Sequence, residues 1–165
     1  MGSTNGDITL YDISTASISD QLQDGHSSAV TAITWSKYTG LISAAEDKKI
    51  VQWSLQDKTV KCKWKSGKGK VTSLAVLPEG KSLLTGERTI KWWDLETKQV
   101  IGTFTGHANQ VNRLLCVKIS NETSYLFTSG TGDNYLSVWS LNEVRIYIFF
   151  FWNIVMLFIK FCQCN

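Results

Sequence analysis

Apolar side chains along this chain fall in short runs rather than in helical stripes. "VTAITWS" (30–36), "LISAA" (41–45), "KIVQWSL" (49–55) and "TVKCKWK" (59–65) are rich in β-branched and aromatic residues, with Gly, Asp, Ser and Lys between them. Short runs of that composition predict β-strands, at about four per forty residues. "TVKCKWK" alternates strictly, so Val60, Cys62 and Trp64 are expected on a packed face and Lys61, Lys63 and Lys65 on a wet one. Hardly any stretch up to residue 142 offers a helical pattern, and the one proline, Pro78, falls in the turn "LPEGK".

A longer period overlies the strands. "DITLYDIS" (7–14), "KIVQWSLQ" (49–56), "TIKWWDLE" (89–96) and "YLSVWSLN" (135–142) share an aliphatic residue three places before an aromatic and another two places after it. The aromatics Tyr11, Trp53, Trp93 and Trp139 are spaced by 42, 40 and 46 residues, the mark of a repeat architecture. Gly25-His26 and Gly106-His107 open two of the repeats, and Trp93-Asp94 closes one. With these motifs the stretch 1–142 resembles the WD-repeat family. The resemblance implies an all-β fold, a partial β-propeller of about three four-stranded antiparallel blades. The chain begins in the third strand of a blade and stops after "YLSVWSL", so a fragment of a longer ring is expected.

Two polar sets recur in register. His26, Ser43, Asp47 and Trp53 stand at intervals of 17, 4 and 6, and His107, Ser129, Asp133 and Trp139 at 22, 4 and 6. A Ser/His/Asp set invites a hydrolase reading, but a catalytic set occurs once, beside a cleft and an oxyanion hole. Recurrence at equivalent positions points to structure and not to catalysis. The resemblance implies a buried chain from imidazole to hydroxyl to carboxylate, with the indole N–H at one end. The middle repeat departs from the pattern: Gly67 replaces the His, Thr85 lies 8 residues before Trp93, and Glu87 stands near the Asp position.

Composition adds three points. The net charge is +3, yet residues 58–70 alone carry six lysines and no acid: Lys58, Lys61, Lys63, Lys65, Lys68 and Lys70. Such a cluster is a candidate contact for RNA or an acidic partner, beside the plainer role of protecting an outer strand edge. Cys62 and Cys116 sit in apolar runs and read as buried thiols of a reducing compartment, and the Cys162-Gln-Cys164 pair lacks zinc-site spacing. No secretory signal opens the chain, so the Asn121-Glu-Thr123 sequon is expected to be idle.

The composition then changes at residue 143. The fourteen residues between Arg145 and Lys160 have one polar member, Asn153, and are fewer than the ~20 a membrane-spanning helix needs. Thirteen of the last twenty residues are Phe, Ile, Asn, Tyr or Lys, those of A/T-rich codons. Residues 143–165 therefore read as a non-propeller hydrophobic tail, resembling translated non-coding sequence more than a membrane anchor.

A narrower resemblance rests on Val60-Lys-Cys-Lys-Trp-Lys65, Arg88-Thr-Ile-Lys91, and Leu95-Glu-Thr-Lys98 leading to Phe104-Thr-Gly-His107. These are similar to nucleolar WD-repeat proteins of the small-subunit processome. The similarity implies a non-catalytic scaffold of early pre-ribosomal RNA processing, linked to ribosomal RNA transcription. Its partners would be other processome proteins and pre-ribosomal RNA, with no cofactor, metal or small-molecule substrate, in the nucleus and nucleolus. The alternative is a general WD-repeat adaptor such as a ubiquitin-ligase substrate receptor. Many of these close on Trp-Asp-x-Arg, whereas the closings here, "YDIS", "WSLQ", "WDLE" and "WSLN", lack the Arg.

Overall fold

A computed structural model describes residues 1–105, 107–120, 124–133 and 135–141, together with the backbone of 145–150 and 157–159. Among these residues there is no helix, and the strands form four separate antiparallel sheets. The first is a pair, β1 (Ile8–Asp12) and β2 (Ser17–Leu22). The second runs in order through β3 (Val30–Ser36), β4 (Gly40–Ala45), β5 (Lys49–Ser54) and β6 (Thr59–Lys65). The third repeats this with β7 (Ser73–Val76), β8 (Ser82–Gly86), β9 (Ile90–Asp94) and β10 (Val100–Phe104). The fourth comprises β11 (Val111–Lys118), β12 (Ser124–Gly130), β13 (Tyr135–Ser140), β14 (Arg145–Phe150) and β15 (Leu157–Ile159).

The apolar runs follow from how the sheets stack. Within the second sheet Leu41 through Ala45 on β4 are all buried, and so is every residue of β8, because both faces of these strands are covered. Three cores lie between successive sheets. Ile8 and Leu22 meet Leu41, Val51 and Trp53; Ile42, Ala44 and Ile50 meet Val71, Leu74, Leu83 and Trp93; Ala75, Leu84 and Ile90 meet Val111, Leu114, Leu126 and Trp139. A recurrent hydrogen bond joins the inner strands as well. Thr31 Oγ1 donates to Val71 O at 2.6 Å, and Thr72 Oγ1 donates to Val111 O, one repeat further on. Four-stranded sheets stacked in this way are propeller blades, and the ring they begin is not closed.

The end of the chain departs from the sequence reading. β14 pairs with β13 through six residue pairs, from Tyr135–Phe150 to Ser140–Arg145. Residues 145–150 thus form the fourth strand of the last blade, in place of the expected start of a non-propeller tail. Their sequence "RIYIFF" is β-branched and aromatic, and the free edge of β13 offers it a full row of backbone partners. No described helix is long and apolar enough to cross a membrane. Gly106, the Asn121–Thr123 sequon, residues 142–144 and 151–156, and the Cys162/Cys164 pair within 160–165 lie outside the described residues.

Candidate functional site

The loop before β3 and the β4–β5 turn meet at one end of the second blade, where Glu46 N donates to Ala29 O at 2.9 Å. His26, on that loop, reaches both groups assigned to it. Its Nε2 lies 2.8 Å from Ser43 Oγ, and its Nδ1 lies 3.2 Å from both oxygens of Asp47. Trp53 Nε1 donates to Ser43 Oγ at 2.8 Å. The order differs from the expected one, because the imidazole and not the hydroxyl contacts the carboxylate. An indole N–H can only donate and a carboxylate can only accept, so the two ends set the polarity. Trp53 donates to Ser43, Ser43 to His26 Nε2, and His26 Nδ1–H to Asp47. Asp47 also accepts from Ser27 N at 3.2 Å and Lys49 N at 3.0 Å, which ties loop to turn. Ser43 is fully buried and both its neighbours engage its hydroxyl, so it does not face a substrate as a nucleophile.

In the last blade His107 Nδ1 lies 2.7 Å from Asp133 Oδ2, and Trp139 serves as the indole. The hydroxyl, however, is that of Thr128 and not Ser129: Thr128 Oγ1 is 2.7 Å from His107 Nε2 and accepts from Trp139 Nε1 at 3.0 Å. Successive side chains on a strand point to opposite faces, so only one of two adjacent hydroxyls can meet the ring. Thr85 in the middle repeat was the available signal that threonine fills this position. The imidazole of His107 also stacks on Tyr135, with ring centroids 5.4 Å apart.

The middle blade keeps half of the network and replaces the rest. Trp93 Nε1 donates to Thr85 Oγ1 at 3.0 Å. In place of imidazole and carboxylate, Lys91 Nζ donates to Glu87 Oε1 at 2.7 Å and to Ser66 O at 2.8 Å. Ser66 in turn bonds Lys48 O of the second blade through both its backbone N and its Oγ. Gly67, at φ 138°, lets the loop pass directly over the ammonium; a Cβ there would lie 2.5 Å from Lys91 Nζ. In sequence Lys91 stands out only within Arg88-Thr-Ile-Lys91, and nothing in the repeat pattern marks it as the partner of Glu87.

Burial pushes the His26 imidazole below its ordinary value; Asp47 pulls it back, while Lys63 and Lys49 press it further down. A folded pKa below the unfolded one means that the unfolded chain binds the extra proton first. The contribution is therefore complete above about pH 6.5 and is lost as pH falls below it toward the folded value. The thermal midpoint should drop between about pH 7 and pH 5, and His26→Gln should remove the His26 share of that drop. Parallel pH profiles for the two proteins would rule out this linkage.

The six lysines do not form one patch. Lys58 pairs with Asp20 at 2.6 Å and Lys70 with Glu46 at 2.5 Å, so acids absent from the local sequence arrive from neighbouring segments. Lys63 Nζ donates to Asp24 O at 3.4 Å. A bulge shifts the β5–β6 register between Gln52–Cys62 and Trp53–Val60, leaving Lys61 as the extra residue. The expected single apolar face is thereby split: Val60 packs with Trp53 toward the first sheet, and Trp64 with Ile50 toward the third. Lys61 lines an open depression with Tyr38, Trp53 and Asp57, while Lys65 and Lys68 stand exposed. Cys62 and Cys116 are half-buried rather than buried, and burial raises the Cys116 thiol to about 11, which keeps it protonated and unreactive. No group of metal-ligating side chains occurs among the described residues.

Stacked four-stranded blades, each tied by an indole–hydroxyl pair, define a segment of a β-propeller. The chain belongs to the WD domain, G-beta repeat family, which matches residues 19–54, 57–94 and 98–140. Among curated relatives it is similar to WD repeat-containing protein 43 of Homo sapiens, 39% identical over 155 residues that cover 87% of this chain and 23% of that protein. Weaker similarity extends to the kinesin-like protein KIF21B of Mus musculus, 23% identical over 72% of this chain and 8% of that one. The methylosome protein WDR77 of Xenopus laevis is 25% identical over 70% of this chain and 36% of that one. The chain thus spans between about a tenth and about a third of these relatives.

Proposed function

We propose that this chain is part of a non-catalytic WD-repeat scaffold of nucleolar ribosome biogenesis, acting in the small-subunit processome during pre-ribosomal RNA processing. Its partners on this reading are other processome proteins and pre-ribosomal RNA, and its place is the nucleolus. The observation that carries the reading is the similarity to human WD repeat-containing protein 43, at 39% identity over 87% of the chain. It is supported by the idiosyncratic middle blade, where Lys91 and Glu87 replace the His–Asp pair of its neighbours. The stacked blades offer extended surfaces, and the described Ser43 hydroxyl is buried within its hydrogen-bond chain, which suits a scaffold.

Affinity purification of the full-length protein from nuclear extract tests the reading. Recovery of small-subunit processome proteins together with pre-ribosomal RNA is expected. Recovery of ubiquitin-ligase subunits in their place would overturn it in favour of a general adaptor.

A further inference from the structure

The register of the second blade brings together three lysines that the sequence holds apart. Lys49 of β5 stands directly opposite Lys65 of β6, and Val51 opposite Lys63. Residues paired across antiparallel strands share a face, so Lys49, Lys63 and Lys65 lie on the side where Val51 packs toward the first sheet. That side also borders the His26 loop, since Lys63 Nζ reaches Asp24 O.

Like charges directly opposite each other destabilise a sheet. Among the described residues no acid forms an ion pair with them. Asp20 and Glu46 are engaged by Lys58 and Lys70, Asp47 is turned into the His26 network, and Asp24 offers Lys63 its carbonyl. Among the described residues no carboxylate stands within ion-pair distance of the three ammonium groups. A cluster without direct ion pairs leaves its ammonium groups open to an anion that arrives from outside.

We propose that Lys49, Lys63 and Lys65 form a phosphate-binding face whose ligand is the backbone of single-stranded RNA. The proposal rests on the scaffold reading for the choice of RNA. Geometry favours a phosphate backbone over an acidic peptide. Lys63 and Lys65 project from one face at a repeat of about 6.6 Å, a regular row that meets successive charges along a strand. Lysines supply point charges without the bidentate fork that selects single carboxylates or phosphate monoesters. A peptide interface would also need an apolar anchor among the charges, and the apolar residues on this side, Val51, Trp53 and Val60, are already packed against the first sheet. Lys58 and Lys70 fall outside the site because they are already paired, and Lys61 because the bulge displaces it.

Fluorescence anisotropy of the purified chain with a labelled, mixed-sequence single-stranded RNA tests the site across about 50–200 mM salt. Each phosphate contact on a single strand contributes about 0.7 to the log–log salt slope, so three contribute about 2. Lys49→Gln/Lys63→Gln/Lys65→Gln should lower the slope by that amount. Lys58→Gln/Lys61→Gln/Lys70→Gln, an equal change in lysine number, should keep most of it. The first variant should melt no lower than the parent, because it removes a like-charge pair. Equal losses in both variants, or a parent chain that does not bind the RNA, would overturn the proposal. So would tighter binding of a phosphorylated acidic peptide that is lost in the first variant, which would make the face a protein contact. The scaffold reading is scored separately: full-length protein carrying the first triple substitution should still recover processome proteins, and loss of RNA binding alone does not touch that result.

Discussion

Trp53→Ala should lower the unfolding free energy by about 3–5 kcal/mol, the range for emptying a buried aromatic site. Trp53 is 2% exposed and packs among Ile8, Leu22, Leu41 and Val51, so its indole holds the first sheet against the second. The site has little room to collapse. Gly25 lies so close that a Cβ there would stand 2.2 Å from Trp53 Cη2, which means that the loop backbone is laid on the ring. Removing the ring therefore leaves a cavity under the loop and deprives Ser43 of a donor. Trp53→Phe separates the two effects. It keeps most of the buried area and loses only the N–H, at about 1–2 kcal/mol. Urea denaturation followed by circular dichroism reads both variants. With natural domains stable by only about 5–15 kcal/mol, the alanine variant should be largely unfolded in mild denaturant. A cost for Trp53→Ala no greater than for Trp53→Phe would mean that stability does not reside at this blade junction.

The repeat was legible because each blade solves the same packing problem with the same residue types. An aliphatic residue three places before an aromatic marks β5, β9 and β13 alike. What stayed hidden depends on register and on contacts about forty residues apart. "TVKCKWK" alternates without a break, yet the bulge at Lys61 turns Val60 and Trp64 to opposite sides, and a bulge leaves no mark in a period-two pattern. Thr128 and Ser129 are adjacent hydroxyls, and only the pairing of Thr128 with Leu114 and Ser137 decides which meets His107. Along the chain the six lysines stand unopposed, whereas Asp20 on β2 and Glu46 in the β4–β5 turn oppose two of them in the fold. Lys49 joins the cluster for the same reason, since its partner Lys65 is sixteen residues away in sequence and directly opposite in the sheet.

Glu87→Ala should cost about 2–3 kcal/mol, and Lys91→Met about 3 kcal/mol, while the double variant costs far less than their sum. The asymmetry follows from exposure. The Glu87 side chain is 7% exposed and the Lys91 side chain 20%, so an abandoned carboxylate is desolvated more fully than an abandoned ammonium, which can turn partly toward water. Lys91→Met leaves the Glu87 carboxylate buried without its counter-ion, and Glu87→Ala leaves the Lys91 ammonium with Ser66 O alone; removing both removes the penalty, and a coupling of about 2 kcal/mol is expected from the cycle. The pair also holds the loop, because Lys91 Nζ bonds Ser66 O and Ser66 bonds Lys48 O. Both single variants should therefore loosen the junction between the second and third blades, seen as faster amide exchange at Ser66 and Thr72, whose N–H groups bond Lys48 O and Gly86 O. Strictly additive energies with unchanged exchange would show that the loop is fixed without the ion pair. In that case Gly67, whose φ of 138° only glycine adopts readily, would carry the turn alone.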